Sequence, residues 1–519
     1  MEALTAEGER REGGAPRGRA LVFIGFMGAG KSTAARAVAG ALGEHALSSD
    51  EELERTFGEP IEAFFDREGE AEFRRREESV AVELLRRPGA RVVALGGGAL
   101  GSPAVREALE GHTVVHLEID PETAWQRATG RGRPLARDRE RFEAIYAERL
   151  PAYEAAATAT LPPADRGVAI RALPSLLALA DAPSGTRLIW ASSRSGEHPV
   201  FAGSGLIAAR FFPPLDGRRF AVTDENVAAH HTVGADWSHA IPPGEREKTL
   251  GRAEEVLRAM ATAGVSREDL VVAVGGGVVG DLAGFCAAVY QRGIRHVQVP
   301  TTLVAQVDSA YGGKTGVDLP EGKNYAGAYH LPSAVLLDPA ALDTLPRVEL
   351  AAGYAEVVKT ALIAGGSLWE RVRAGADADL ETILRCVRTK LAVVAEDERD
   401  EGRRQVLNLG HTIGHAIEAA TGYGEYRHGE AVGIGLLCTL RLSGLDELRL
   451  EVTQLLRARD LPLGCSGVEP DELMRYLERD KKRRGGAVPF VLVRAPGEVT
   501  PGNAVDDGDL RAALEEACA

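Results

Sequence analysis

The chain has 519 residues, 45% of them apolar and 26% charged, the balance of soluble globular protein and more than one ordinary core can hold. A formal net charge of −15 argues against a general binder of nucleic acid or anionic membrane, although local basic pockets for anionic metabolites are compatible with it. No apolar run reaches the ~18–20 residues that span a bilayer, and five scattered cysteines without a C-x-x-C pair read as reduced thiols in a cytoplasmic protein.

Residues 1–18 mix both charge signs with Gly and Pro and lack an apolar h-region, which predicts a disordered tail and no secretory signal. "ALVFIGFMGAGKS" is then an apolar strand running into a Gly-rich turn, and "TAARAVAGALG" continues as helix. "RVVALGGGAL" and "HTVVHLEID" add further strands between helical stretches. This alternation predicts an α/β P-loop domain with a parallel sheet over 19–165. "GVAIRALPSLLALADAPSGT" reads as a last helix and linker over 166–188. Strands "RFAVTD", "LVVAVGGG" and "HVQVP" define a second α/β region over 189–349. From 350 to 519 the pattern is mostly α-helical, as in "LAAGYAEVVKTALIAG" and "ETILRCVRTKLAVVAEDE".

"GFMGAGKST" satisfies G-x-x-x-x-G-K-[ST] at Gly25, Gly30, Lys31 and Ser32. Backbone N–H groups around Gly28 and Gly30 would close on phosphates, Lys31 would reach the β/γ-phosphates, and Ser32, followed by Thr33, would ligate Mg²⁺. The same segment contains "SSDEELE" with Asp50, "EFRRRE" with Arg74, the triple glycine Gly96, Gly97 and Gly98, "GRPLA" with Arg133, and "ERLPAYEAAA" with Arg149. With these motifs it resembles the shikimate kinase family over its whole length. The resemblance implies that Asp50 orients the shikimate hydroxyls and that Arg74 and Arg149 clamp the carboxylate. Arg133 would come from a lid toward the transferred phosphoryl group of ATP. Most other charges in "FRRREE" and "RDRER" read as solvated helix. One departure is Ser48, where the family usually has an Asp near the metal. Gluconate kinase shares the P-loop, but Asp50, Arg74 and the glycines favour shikimate.

"VVAVGGGVVGDLAGF" is not G-x-G-x-x-G, yet a Gly turn ahead of a helix suits a pyrophosphate. It is followed in order by "QVPTTLVAQVDSAYGGKTGVD", "GKNYAG", "AGYAEVVK", "LNLGHTIGHAIE" and "YRHGEAV". From about residue 190 onward the chain therefore resembles the 3-dehydroquinate synthase family. The resemblance implies NAD near Asp224 and Asn226, with Glu245 and Lys248 on ribose hydroxyls. Gly276, Gly277, Gly280 and Asp281 would face the pyrophosphate and nicotinamide, with Thr301, Thr302, Asp308 and Thr344 completing the pocket. It implies a Zn²⁺ or Co²⁺ ion on Glu356, His411 and His428. It also implies a cationic substrate site of Lys314, Lys323, Asn324, Lys390, Arg404 and His415, with Lys481 or Lys482. Lys314 and Lys323 also border the NAD pocket, and Lys314, Arg404 and His415 join the kinase residues Lys31, Asp50 and Arg133 as the expected catalytic groups. Arg292 would reach the site of a neighbouring subunit, implying a homodimer through the synthase part.

Read alone, His411 and His415, four apart on a helix, suggest one shared metal. The family motifs instead assign His411 to the metal and His415 to the substrate. The reaction implied is cyclisation of 3-deoxy-D-arabino-heptulosonate 7-phosphate to 3-dehydroquinate with phosphate release, hydride being lent to NAD⁺ and returned. Another sugar-phosphate cyclase, or a polyol-phosphate dehydrogenase, is the alternative; the kinase-like segment favours the aromatic pathway. Small molecules are the expected partners, with no nucleic acid and no membrane.

Overall fold

Leu21–Ile24 (β1) is buried along its whole length, as a strand covered on both faces must be. It is an inner strand of the first sheet, and the computed structural model describes residues 19–129, 134–162, 167–483 and 488–519. The predicted tail over 1–18 lies outside the described residues, and the side chains of 479–483 are not described. Tertiary contacts separate two units, one reaching to Ala182 and adding Arg187–Trp190, the other comprising Pro183–Thr186 and Ala191–Ala519.

The first unit is a parallel sheet whose strands are β1, β2 (Ala46–Ser48), β3 (Val92–Ala94), β4 (Thr113–Leu117), β5 (Ala159–Leu161) and the first half of β6 (Arg187–Ser193). Their spatial order is β2-β3-β1-β4-β5-β6, with Leu21 opposite both Val92 and Thr113. The order reverses direction at β1, so the loop after β1 opens into a crevice at the carboxyl ends of the strands. Helices α1 (Lys31–Ala41), α2 (Ser49–Phe57), α3 (Glu70–Arg86) and α4 (Arg139–Ala156) are among those around it. Helix α2 has local reasons to form: Ser48 caps it, Asp50, Glu51 and Glu52 fill its first turn, and Gly58 ends it in the left-handed conformation. The helix Val168–Ala178 packs in this unit.

The second unit has a parallel sheet of β7 (Gly196–Ala202), β8 (Arg219–Asp224), β9 (Trp237–Ile241), β10 (Leu270–Gly275), β11 (Arg295–Pro300) and β14 (Ala334–Leu337), in the order β7-β14-β11-β10-β8-β9. A hairpin, β12 (Lys314–Leu319) with β13 (Gly322–Tyr329), lies between β11 and β14 in the chain. Helix α5 (Gly277–Val289) follows β10 and packs against it over an apolar core that includes Val271, Val279 and Leu282. The rest is mostly helical: α6 (Arg347–Ala364), α7 (Leu380–Glu396), α8 (His411–Ala420) and α9 (His428–Leu442) lead into further helices and a terminal hairpin, β15 (Phe490–Ala495) with β16 (Glu498–Asn503). Helix α6 is buried without interruption from Ala352 to Ile363, so it is enclosed on all sides. Among the described residues no helix is long and apolar enough to cross a membrane.

Candidate active sites

In the first unit the loop after β1 has the backbone a phosphate cradle needs. Gly25 has φ 141, and a Cβ there would lie 2.6 Å from the Leu117 carbonyl oxygen, so no other residue fits. Gly28 and Gly30 also have positive φ, and Gly30 caps α1. Lys31, Ser32 and Thr33 form the first helical turn, and Lys31 Nζ donates to Phe26 O at 3.1 Å, folded over the loop. The β3 turn lies alongside: a Cβ on Gly97 would come 3.6 Å from Gly25 O and Met27 N.

The expected shikimate residues converge on that turn. Arg149 Nη1 donates to Gly97 O at 3.1 Å. A Cβ on Gly98 would fall 1.9 Å from Arg74 Nη1, and one on Gly96 would fall 2.8 Å from Asp50 Oδ1. Together with Glu77 and Tyr153, the residues Arg74, Gly97, Gly98 and Arg149 line a cavity of about 600 Å³. Glu77 and Tyr153 were not singled out from sequence. Glu77 is 3% exposed and pairs with Arg74 at 2.5 Å; burial raises its carboxyl above the usual range although Arg74 opposes this. Tyr153 donates to Gly97 O and so buttresses the same turn. Ser48 accepts from Glu51 N at 3.5 Å as the cap of α2, a task an Asp there could also perform. Arg133 lies outside the described residues.

In the second unit, strand register gathers the expected dinucleotide residues. Gly275 is opposite Pro300, and Val274 is opposite Thr223, so Asp224, Gly276 and Thr301 stand at the carboxyl ends of adjacent strands. Gly276 caps α5, Gly277 begins it, and Gly280 lies one turn on, which presents a helix N-terminus to this edge. A Cβ on Gly276 would meet the Thr302 methyl group at 2.8 Å. Lys248, 4% exposed, pairs with Asp281 at 2.6 Å, and Lys323 lies 3.3 Å from Glu245. Asp224 caps the short helix beginning at Glu225 by accepting from Val227 N at 2.9 Å; Asn226 is exposed beside it. Thr344 Oγ1 contacts His231 Nε2 at 2.8 Å.

The expected metal set is assembled from three helices. Glu356 is on α6, His411 opens α8 and His428 opens α9, and one donor atom from each lies within 4.8 Å of the others. His411 Nε2 and His428 Nε2 stand 3.5 and 3.4 Å from the same Glu356 oxygen. The other ring nitrogens are held: His411 Nδ1 by Leu409 O at 3.1 Å, His428 Nδ1 by Glu418 Oε2 at 3.4 Å. This is the arrangement that aims imidazole nitrogens at a metal. Burial, then Lys359, push His411 down to about 3, whereas at His428 burial is outweighed by Glu356 and Glu418, which raise it to about 9, so a metal would have to displace a proton there. Burial alone would raise Glu356, but Lys359 and then His411 outweigh it and hold the carboxyl well below its usual range. Both Glu356 oxygens are buried without a hydrogen bond, and Lys359 is its ion-pair neighbour. A carboxylate and two oriented imidazoles fit a zinc-type ion.

His415 also lies within 4.8 Å of Glu418 and His428 as a donor set. Glu418, however, is engaged by Lys323 at 3.1 Å, and His428 offers that side only Nδ1. His415 is solvent-accessible, with its ring centroid 5.4 Å from that of His411. Lys359 and Glu418 are the residues that sequence reading passed over, although both lie inside quoted motifs. Lys359 bridges Glu356 to Asp308, which also binds Lys390, giving alternating charges that compensate one another in a buried place.

The remaining expected cations are distributed. Lys314 pairs with Asp400 at 2.6 Å, and Asn324 adopts positive φ while its N–H donates to Asp318. Arg404, 2% exposed, spends its donors on the carbonyls of Glu398 and Gly312, so it fastens its loop in this conformation. Arg292 is exposed just before β11, at the end of that strand opposite Thr301, and is not gathered into the site. The side chains of Lys481 and Lys482 lie outside the described residues.

The family models for the 3-dehydroquinate synthase N-terminal and C-terminal domains match residues 238–352 and 353–483, and the shikimate kinase model matches 27–170. The 3-dehydroquinate synthase of Symbiobacterium thermophilum is 43% identical over 348 residues, covering 61% of this chain and 97% of that protein. That of Caulobacter vibrioides is 44% identical over 355 residues, covering 62% and 95%. A 2-epi-5-epi-valiolone synthase from Streptomyces hygroscopicus subsp. jinggangensis, solved with NAD⁺ and Zn²⁺ bound, is 29% identical with TM-score 0.55, covering 62% of this chain and 96% of that one. A 2-deoxy-scyllo-inosose synthase complexed with carbaglucose-6-phosphate, NAD⁺ and Co²⁺ is 25% identical with TM-score 0.56, covering 64% and 100%. The identity to the synthases of quinate chemistry supports that reading over the other cyclases and the dehydrogenases. The chain thus belongs to the 3-dehydroquinate synthase family, fused in one polypeptide behind a shikimate kinase domain.

Proposed function

We propose that Glu356, His411 and His428 hold Zn²⁺ or Co²⁺, that NAD lies across the carboxyl ends of β8, β10 and β11, and that heptulosonate 7-phosphate binds between them and the cations. The observation that carries this is the convergence of three ligands with the distal nitrogen of each imidazole already fixed. A metal there supplies Lewis-acid polarisation of a substrate hydroxyl, and NAD supplies a reversible hydride acceptor. The chain's own residues bind and orient. Lys390, Lys359 and Lys323 stand near the ligands, each paired with a carboxylate in this conformation, and His415, one turn after His411, faces solvent where a substrate oxygen or phosphate would arrive.

In the kinase unit, Lys31 and the N–H groups after Gly28 take the ATP phosphates, with Mg²⁺ on Ser32. Asp50, Arg74, Arg149 and the glycines of the β3 turn position shikimate. Arg292, exposed and remote from the site on its own chain, would serve a second copy in a homodimer.

The test supplies purified protein with 3-deoxy-D-arabino-heptulosonate 7-phosphate and NAD⁺ before and after chelation, and separately with shikimate and ATP. Chelator-sensitive phosphate release without net NADH accumulation is expected, together with shikimate phosphorylation. Lasting NADH accumulation would point to a dehydrogenase and end the cyclase reading.

A further inference from the structure

The helix Asp507–Ala517 ends beside the loop that carries Cys465. Cys465 N–H donates to Ala517 O at 2.7 Å, so the two backbones are already joined there. The next residue, Cys518, brings its Sγ to 3.2 Å from Cys465 Sγ. A disulfide needs about 2.05 Å, so the sulfurs have only about 1 Å to close. Cys465 is buried and Cys518 is half-buried, an asymmetry that gives one thiol access to a reagent and keeps the other as its neighbour. Burial and the contact with Cys518 push the Cys465 thiol up, which casts it as the second partner. Cys286, Cys386 and Cys438 are buried, and Cys438 Sγ lies 3.8 Å from Ala513 O.

We propose that Cys465 and Cys518 are a reversible disulfide site, separate from both active sites, that locks the C-terminal helix in place. The oxidant is a low-molecular-weight disulfide, RSSR. Cys518 as thiolate attacks one sulfur, forming Cys518–S–S–R and releasing RS⁻. Cys465 then loses its proton and attacks the Cys518 sulfur, releasing the second RS⁻. In net terms two cysteine thiols are oxidised to one disulfide and RSSR is reduced to two RSH.

The ring so closed contains the helix Pro470–Arg483, the β15–β16 hairpin and the last helix. Leu473, Leu477, Leu510 and Leu514 of that ring share one apolar core with Ile413 and Ile417 of α8. The bond therefore braces the face of α8 opposite His411 by restricting the unfolded ensemble of the segment beneath it.

The test treats the full chain with oxidised glutathione. Expected are loss of two of the five thiols, a peptide cross-linked between Cys465 and Cys518, and an unfolding midpoint raised by roughly 5 °C. Dithiothreitol should reverse the shift, and Cys518→Ser should abolish both cross-link and shift. Cys465→Ser, at the buried partner, should behave alike if it folds; Cys518→Ser decides the matter without it. Glutathione remaining on Cys518 as a mixed disulfide, a cross-link to Cys438 instead, or an unmoved midpoint would each overturn the proposal.

Discussion

His428 offers its two nitrogens to two carboxylates, and the division of labour follows from geometry. Nε2 faces Glu356 and Nδ1 faces Glu418. Replacing Glu418 by Ala frees the ring to turn, so metal affinity should fall about 10–100-fold in a competition titration with a chelator. His411→Ala removes a ligand outright and should abolish stoichiometric metal. His415→Ala should keep the metal, measured by elemental analysis, and lose turnover; loss of metal in this variant would mean that the two histidines share one ion after all. His411 was legible as a candidate ligand from its motif. Glu418 was not, because a carboxylate within a helix looks like any solvated helical acid until its neighbours in space are known.

Helices bring these ligands together by close approach. A Cβ on Gly429 would lie 1.8 Å from the carbonyl oxygen of Ala352, one turn before Glu356. The absence of a side chain there lets the start of α9 sit on α6, and so seats His428 beside Glu356. Gly429→Ala must push the helices apart, at about 1–3 kcal/mol of stability, and should weaken metal binding without touching a ligand. A thermal melt alongside a metal titration would show both. The loop after α7 is held differently. Asp397 accepts backbone N–H groups of Arg404, Glu401 and Gly402, and these bonds hold its carboxyl down to about 2. The ordinary value is ~3.9, so this stabilisation is present above pH ~4 and is lost as pH falls toward ~2. Asp397→Asn should flatten the acid limb of the stability–pH curve; an unchanged limb would remove Asp397 from the account.

Two catalytic units in one chain invite a test of their independence. Arg74 is confined to the kinase cavity, and Arg74→Ala should lower shikimate phosphorylation roughly 10–100-fold, the worth of a charge-assisted hydrogen bond. Chelator-sensitive phosphate release from heptulosonate phosphate should be unchanged; a matching loss in both assays would show that the units depend on each other. Much of this organisation was written locally. The P-loop, the apolar strands, the capped α2 and the amphipathic, Asp379-capped α7 are set by side-chain period, by Gly φ preference and by capping, all of which act within a few residues. The proposal of Glu356, His411 and His428 as ligands came from motif resemblance. Three-dimensional packing alone decided the rest: that Glu77 pairs with Arg74, that Lys359 lies between Glu356 and Asp308, that Arg404 turns to backbone carbonyls, and that Cys465 meets Cys518. Such pairings answer to burial, because an enclosed charge or thiol must find its partner among whatever the packed helices bring near. No periodicity along the chain encodes that.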